Sequence, residues 1–385
     1  MTPPLKRWLV ASGSAACAFL VGIQFLPDHR TPMVEYVETG APNIPFVKRE
    51  PPANGEESWL VRLPLGEDRI GLFFPGEERG MVFDRTRLKT IEPHQDVWIR
   101  FEEHPRGRWR RRINSLGMRD KEIAEVKPEF RVIVVGDSHV EGVCDNHESY
   151  PNQLEQLLHR RHPDREVEVL NAARGGWSQY SYLRALETYA ALEPDVFVVT
   201  IYGGNDFAGQ LSLHHMLRGE DVPQRDPRLD KKLNGLKGGL PSQFYRQVAY
   251  FAAHPEDEEL ALEMSGMVTE LLGRICREQG IELLFVYLPP IPDVQPEYVA
   301  DELEHAREVL ELPPRTVEVS QRLADTWTDE LRAAGIPLVD LRKAFTEHDE
   351  PLFWDEDLHI NLRGHRVTAE EVLPEVERLL GLDRS

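Results

Sequence analysis

Residues 132–143 read VIVVGDSHVEGV. Four β-branched apolar residues, Val132 to Val135, run into Gly136, and Asp137, Ser138 and His139 follow side by side. An apolar run without polar alternation belongs to a strand covered on both faces, as in a parallel sheet packed between helices. Four more segments share this character: VEVLN (167–171), DVFVVTIYGGND (195–206), IELLFVYLPP (281–290) and IPLVDL (336–341). Helical patterns lie between them. In ESYPNQLEQLLHRR (148–161), Ser149 is a candidate N-cap, Pro151 falls in the first turn, and Leu154, Leu157 and Leu158 share a face. In MVTELLGRICREQG (267–280), Val268, Leu271, Leu272 and Ile275 recur at helical spacing and Gly280 is a natural stop. Together these predict a three-layer α/β/α domain over residues 114–385, with a central, mainly parallel five-stranded sheet. Sites in that architecture form at the carboxyl ends of the strands.

Asp, Ser and His are the residue types of a serine hydrolase triad, but neighbouring side chains on a tight turn diverge. Ser138 must find its partners elsewhere, and the other strand ends supply candidates. The second strand ends at Asn171, followed by Gly175 and Gly176; the third ends in Gly203, Gly204, Asn205 and Asp206. Past the fifth lies DEDLHINLRGH (355–365), with His359 ahead of a C-terminal helical pattern.

Ser, Gly, Asn and His in this order resemble the four blocks of the SGNH (GDSL-type) hydrolase family. GDSHVEG (136–142) matches the first block, in which the position after Ser varies, so His139 reads as a variable neighbour and Asp137 as a brace for the turn. Gly176 is the better match to the second block, with Gly175 its alternative; GGND (203–206) matches the third through Asn205, and His359 the last. RINSLGMRD (112–120) is similar to a lead-in of bacterial members, and the resemblance spans roughly residues 112–385. It implies an SGNH/flavodoxin-like fold and a Ser-His-acid esterase acting on O-acyl esters, without cofactor or metal. Ser138 would be the nucleophile and His359 the base, with an oxyanion hole from the Ser138 and Gly176 N–H groups and the Asn205 amide. One departure stands out. The family's last block is Asp-x-x-His, but Glu356 occupies that spacing here, with Asp355 and Asp357 beside it. A carboxylate must reach His Nδ1–H to orient the ring, and Asp357 is the preferred candidate. Two alternatives stay open: an O-acyltransferase with the same triad, and a non-catalytic scaffold or binding protein with the same fold.

The 385-residue chain is acidic, with 45 Lys plus Arg against 66 Asp plus Glu and a formal net charge of −21. Such a field argues against nucleic acid as a partner. Lys6 and Arg7 precede a charge-free run at residues 8–26. As a helix it would span about 28 Å, close to the hydrocarbon core of about 30 Å. This predicts a retained N-terminal signal anchor over 1–27 that leaves the rest of the chain outside the cytoplasm, with cleavage as the alternative. A linker is expected at 28–54 and a small β-rich extension at 55–113. An ester substrate such as acetylated envelope polysaccharide would suit that location. Cys144 and Cys276 are the one pair able to form a disulfide outside the membrane segment, with two free thiols as the alternative. The basic run RGRWRRR (106–112) is expected to pair with acidic groups of the same protein, and His214 and His215 to lie at the surface. The long connections 207–260 and 289–325 are expected to form a lid or rim.

Overall fold

The computed structural model describes residues 34–36, 81–84, 88–217, 223 and 226–383. The anchor, most of the linker and the first part of the β-rich extension lie outside the described residues. Among those described, no helix is long and apolar enough to cross a membrane.

Ten strands are described: β1 (Val34–Tyr36), β2 (Met81–Asp84), β3 (Leu88–Ile91), β4 (Asp96–Arg100), β5 (Arg108–Arg112), β6 (Phe130–Val135), β7 (Val167–Asn171), β8 (Val196–Tyr202), β9 (Glu282–Leu288) and β10 (Leu338–Asp340). The last five form one sheet in the order β10-β9-β8-β6-β7, every pair parallel. β7 and β8 are buried along their whole length, as their unbroken apolar runs require. The helices Tyr150–Arg161 and Leu362–Leu379 pack together as one covering layer. Gln179–Tyr189, Asp206–Leu217, Asp257–Gln279 and Val319–Ala333 pack as the other. Ser149 does precede the Tyr150 helix, and Pro151 stands in its first turn. The Asp257 helix stops at left-handed Gly280, where the Ile281 N–H reaches back to the Cys276 carbonyl (2.8 Å).

This strand order fixes where a site can form. Counted from β6, it is 2-1-3-4-5, the doubly wound order in which the chain leaves the first strand in one direction and then returns to build the other side. The crevice opens between the first and third strands, here β6 and β8, at their carboxyl ends. Ser138 follows β6 and Asn205 follows β8.

β4 pairs antiparallel with both β1 and β5, and β2 with β3. β1 lies within the segment read as a linker, where Val34, Glu35 and Tyr36 pair in register with Ile99, Trp98 and Val97. One face of the β1-β4-β5 sheet buries Val97, Ile99 and Trp109, which join Phe101 and Trp354 in a second, smaller core. Three of the five arginines of the basic run pair internally: Arg106 with Asp145 (2.5 Å) and Glu148 (3.3 Å), Arg110 with Asp96, and Arg111 with Glu141 (3.8 Å). Cys144 and Cys276 are both buried and free. His214 departs from its expected surface position. It is buried, with Nδ1 2.9 Å from the Tyr180 hydroxyl, because the helix carrying it is wedged between the Gln179 and Asp257 helices.

Candidate active site

The chain turns sharply as β6 ends. A Cβ at Gly136 would stand 2.3 Å from Val140 Cγ2, so only glycine lets the following helical turn, Ser138–Glu141, fold back this tightly. Asp137 caps that turn by accepting the His139 N–H (2.9 Å), which is the bracing role expected of it. Its carboxyl is buried and pushed up to about 6, chiefly by desolvation. Ser138 stands at the start of the turn, half-buried, with Oγ 2.7 Å from His359 Nε2.

His359 sits in the loop between the short helix Arg342–Thr346, which follows β10, and the Leu362–Leu379 helix. The loop doubles back on itself: the Trp354 N–H reaches the His359 carbonyl (2.8 Å), and Phe353 bridges antiparallel to Ile360. Within it Leu358 takes φ +63°, a left-handed conformation that a non-glycine residue holds only where its surroundings enforce it. That twist turns the side chains on either side of Leu358 toward one another. His359 Nδ1–H donates to Asp357 Oδ1 (2.5 Å), and the same oxygen accepts the His359 N–H (3.3 Å). Of the three acidic candidates, the structure brings Asp357 to the ring, while Asp355 and Glu356 stay exposed. With its proton on Nδ1, neutral His359 offers the Nε2 lone pair to Ser138.

Charge follows this geometry. Burial disfavours the imidazolium, but the Asp357 charge and hydrogen bond outweigh it and leave His359 above the ordinary histidine range. Burial likewise raises Asp357, and the His359 charge and hydrogen bonds overcome it to leave the carboxyl below its usual range. The Asp357 and Glu356 N–H groups are in turn held by the two Glu103 oxygens (3.1 and 2.9 Å) from the turn between β4 and β5.

The remaining expected residues follow the two strands that flank β6, Gly175 and Gly176 after β7 and Asn205 after β8. Gly175 gives its N–H to Glu141 Oε2 (2.7 Å), so that donor is taken. Gly176, at φ +75°, has no such acceptor for its N–H among the described residues. Asn205 follows β8, and Asp206 beside it ties the turn by accepting the Tyr202 N–H (3.0 Å) and the Tyr182 hydroxyl (2.9 Å). His365, the other histidine of the last block, is buried and accepts the Tyr150 N–H (3.2 Å), a packing role. The RINSLGMRD stretch scaffolds the site. Arg119 donates to the Gly142 (2.7 Å) and Cys144 carbonyls, and Asp120 accepts the Asn171 N–H (2.6 Å).

His139 has a structural place that the sequence reading did not address. It is fully buried, because its ring fills the gap between Tyr202 and His359. The Tyr202 ring stacks on it at 3.7 Å, the His359 ring lies 4.5 Å away, and Gln243 Oε1 is 3.2 Å from its Nε2. Nothing in the sequence announced Gln243, Glu103 or this role for His139, since none belongs to a spaced motif.

No curated protein matches the chain. Several solved structures are similar to it. The alpha/beta hydrolase LAE5 from the Lake Arreo metagenome shares 20% identity over 68% of this chain and 99% of its own, at TM-score 0.36. A member of the lipolytic G-D-S-L family from Veillonella parvula shares 13% over 65% and 99%, at TM-score 0.38. A carbohydrate acetylesterase family member from Sinorhizobium meliloti shares 14% over 66% and 100%, at TM-score 0.34. Residues 134–367 match the profile of the GDSL-like Lipase/Acylhydrolase family, a stretch that begins in β6, ends in the last helix and takes in Ser138, Gly176, Asn205 and His359; the chain belongs to this family.

Proposed function

We propose that the protein is a serine esterase that removes O-acyl groups through a Ser138–His359–Asp357 relay. The observation that carries this reading is the continuous line from Asp357 Oδ1 through His359 (2.5 Å) to Ser138 Oγ (2.7 Å). Ser138 Oγ attacks the ester carbonyl while His359 Nε2 takes its proton, and Asp357 stabilises the imidazolium that forms. The tetrahedral oxyanion is held by the N–H groups of Ser138 and Gly176 and by the Asn205 side-chain amide; each such donor is typically worth about 10²–10³ in rate. His359 then passes the proton to the leaving alcohol. Water, activated by the same histidine, releases the acyl group and restores Ser138.

The charge-free run behind Lys6 and Arg7 supports a membrane-anchored enzyme with its catalytic domain outside the cytoplasm. In that compartment an O-acetylated envelope polysaccharide is the substrate class that fits best. Turnover of an aryl acetate by the wild type and by Ser138→Ala tests the esterase reading. Loss of at least about a thousandfold in kcat is expected, and unchanged turnover in the variant overturns it.

A further inference from the structure

The long connection after β8 delivers one side chain onto the base. Gln243 lies in a π-helical turn, Pro241–Tyr245, a local irregularity that often marks functional positions. Its backbone carbonyl accepts the Tyr202 hydroxyl (2.8 Å), which pins the turn against the end of β8. Its side-chain Nε2 is 3.3 Å from His359 Nδ1 and also 3.3 Å from His359 Nε2. A point equally close to both ring nitrogens cannot lie in the ring plane, because Cε1–H stands between them. The amide therefore rests on the ring face, leaving both nitrogens free for Asp357 and Ser138.

The orientation of that amide is also fixed. The Ile360 N–H donates to His139 Nδ1 (3.3 Å), so a neutral His139 carries its proton on Nε2. That proton goes to Gln243 Oε1 (3.2 Å), which turns the NH₂ group toward His359. Burial, reinforced by the nearby His359, holds His139 well below the ordinary histidine range and keeps it neutral. Backbone of the His359 loop, His139, Gln243 and the His359 ring thus close a circuit.

We propose that Gln243 is a positioning residue for the general base: its amide holds the His359 ring from one face in the plane set by Ser138 and Asp357, and His139 clamps that amide in its working orientation. The inference rests on the Ser138–His359 reading for its catalytic meaning, although the contact itself does not depend on turnover. An NH₂ group over the ring opposes the imidazolium. Asp357 on the same loop and Asp137 and Glu141 beside the β6 turn pull the other way, while His139 and His365 are neutral. Gln243 supplies the counterweight.

The test is a ¹⁵N-histidine titration of the full chain, with His359 assigned by its disappearance in His359→Asn. Gln243→Glu keeps the size and the His139 bond but puts a carboxylate oxygen on the ring, so the His359 titration should move to higher pH by about one unit. Gln243→Met removes both polar contacts, and kcat for an aryl acetate should fall about tenfold with KM unchanged. His359 titrating as in the wild type in Gln243→Glu, with both variants folded by circular dichroism, would overturn the proposal. An inactive wild type would sink the esterase reading while the titration still decided the contact.

Discussion

Leu358 settles a question that spacing alone left open. In an extended loop, residues two apart share a side, but their side chains stand roughly parallel rather than turned toward one another. The left-handed twist at Leu358 brings Asp357 Oδ1 to 2.5 Å from His359 Nδ1. Glu356, at the family's usual spacing, is turned outward. Asp357→Asn should therefore lower kcat by about 10³–10⁴, as loss of a triad carboxylate does. It should also move the acidic limb of kcat/KM to lower pH, because the charge that raises His359 is gone. Glu356→Ala should stay within about twofold. A pH series of kcat/KM for the three proteins distinguishes them. The serine, the two glycine-asparagine blocks and the histidine were legible because each follows a recognisable apolar strand. Asp357 was legible as a candidate and no further, since a backbone dihedral at Leu358 decides the outcome. The contacts of His139 were not legible, because they come from Tyr202 and His359, which lie 63 and 220 residues away in the chain.

At the scale of elements, the sheet of β1, β4 and β5 does more than cover the domain. Its turn supplies Glu103, whose carboxylate takes the N–H groups of Glu356 and Asp357. Its apolar face meets Trp354 from the same loop, with Phe101 packed edge-on at 5.3 Å. Both contacts hold the chain that carries Asp357 and His359, and both come from residues ahead of the matched family region. Hydrogen bonds to a charged group contribute about 1.5–3 kcal/mol. Glu103→Ala should accordingly lower the melting midpoint by a few degrees and kcat by about tenfold, with KM little changed. Steady-state kinetics beside a thermal melt check this, and wild-type values in both would contradict it. A β-rich extension and the pairing of the basic run with acidic groups of the same protein were expected from the sequence. The docking of this sheet was not visible, because it depends on Trp354, more than two hundred residues downstream.

For the whole molecule, the parallel sheet follows from five apolar runs separated by helices, and the switch point between β6 and β8 follows from the order in which they pair. Burial on this scale has a cost in charge. Desolvation pushes Asp120 and Asp137 up to about 6 and Asp293 up to about 7. In the unfolded chain these groups titrate near pH ~3.9. Their folded pKa values are raised, so the stability they contribute is complete below about pH 4 and is lost as pH rises through about 6–7. Asp293→Asn removes one of these groups. Its melting midpoint relative to wild type should therefore rise between pH 5 and pH 8, whatever the offset at pH 5. A gap that stays constant across this range would contradict the buried-acid account. Ser138 is the proposed nucleophile, and covalent labelling reaches it most directly. A fluorophosphonate probe, followed by peptide mapping of the folded wild type, should place the adduct on Ser138 and nowhere else, and His359→Ala should slow the labelling sharply. A Ser138 that stays unmodified in folded protein would contradict the account and favour a non-catalytic scaffold.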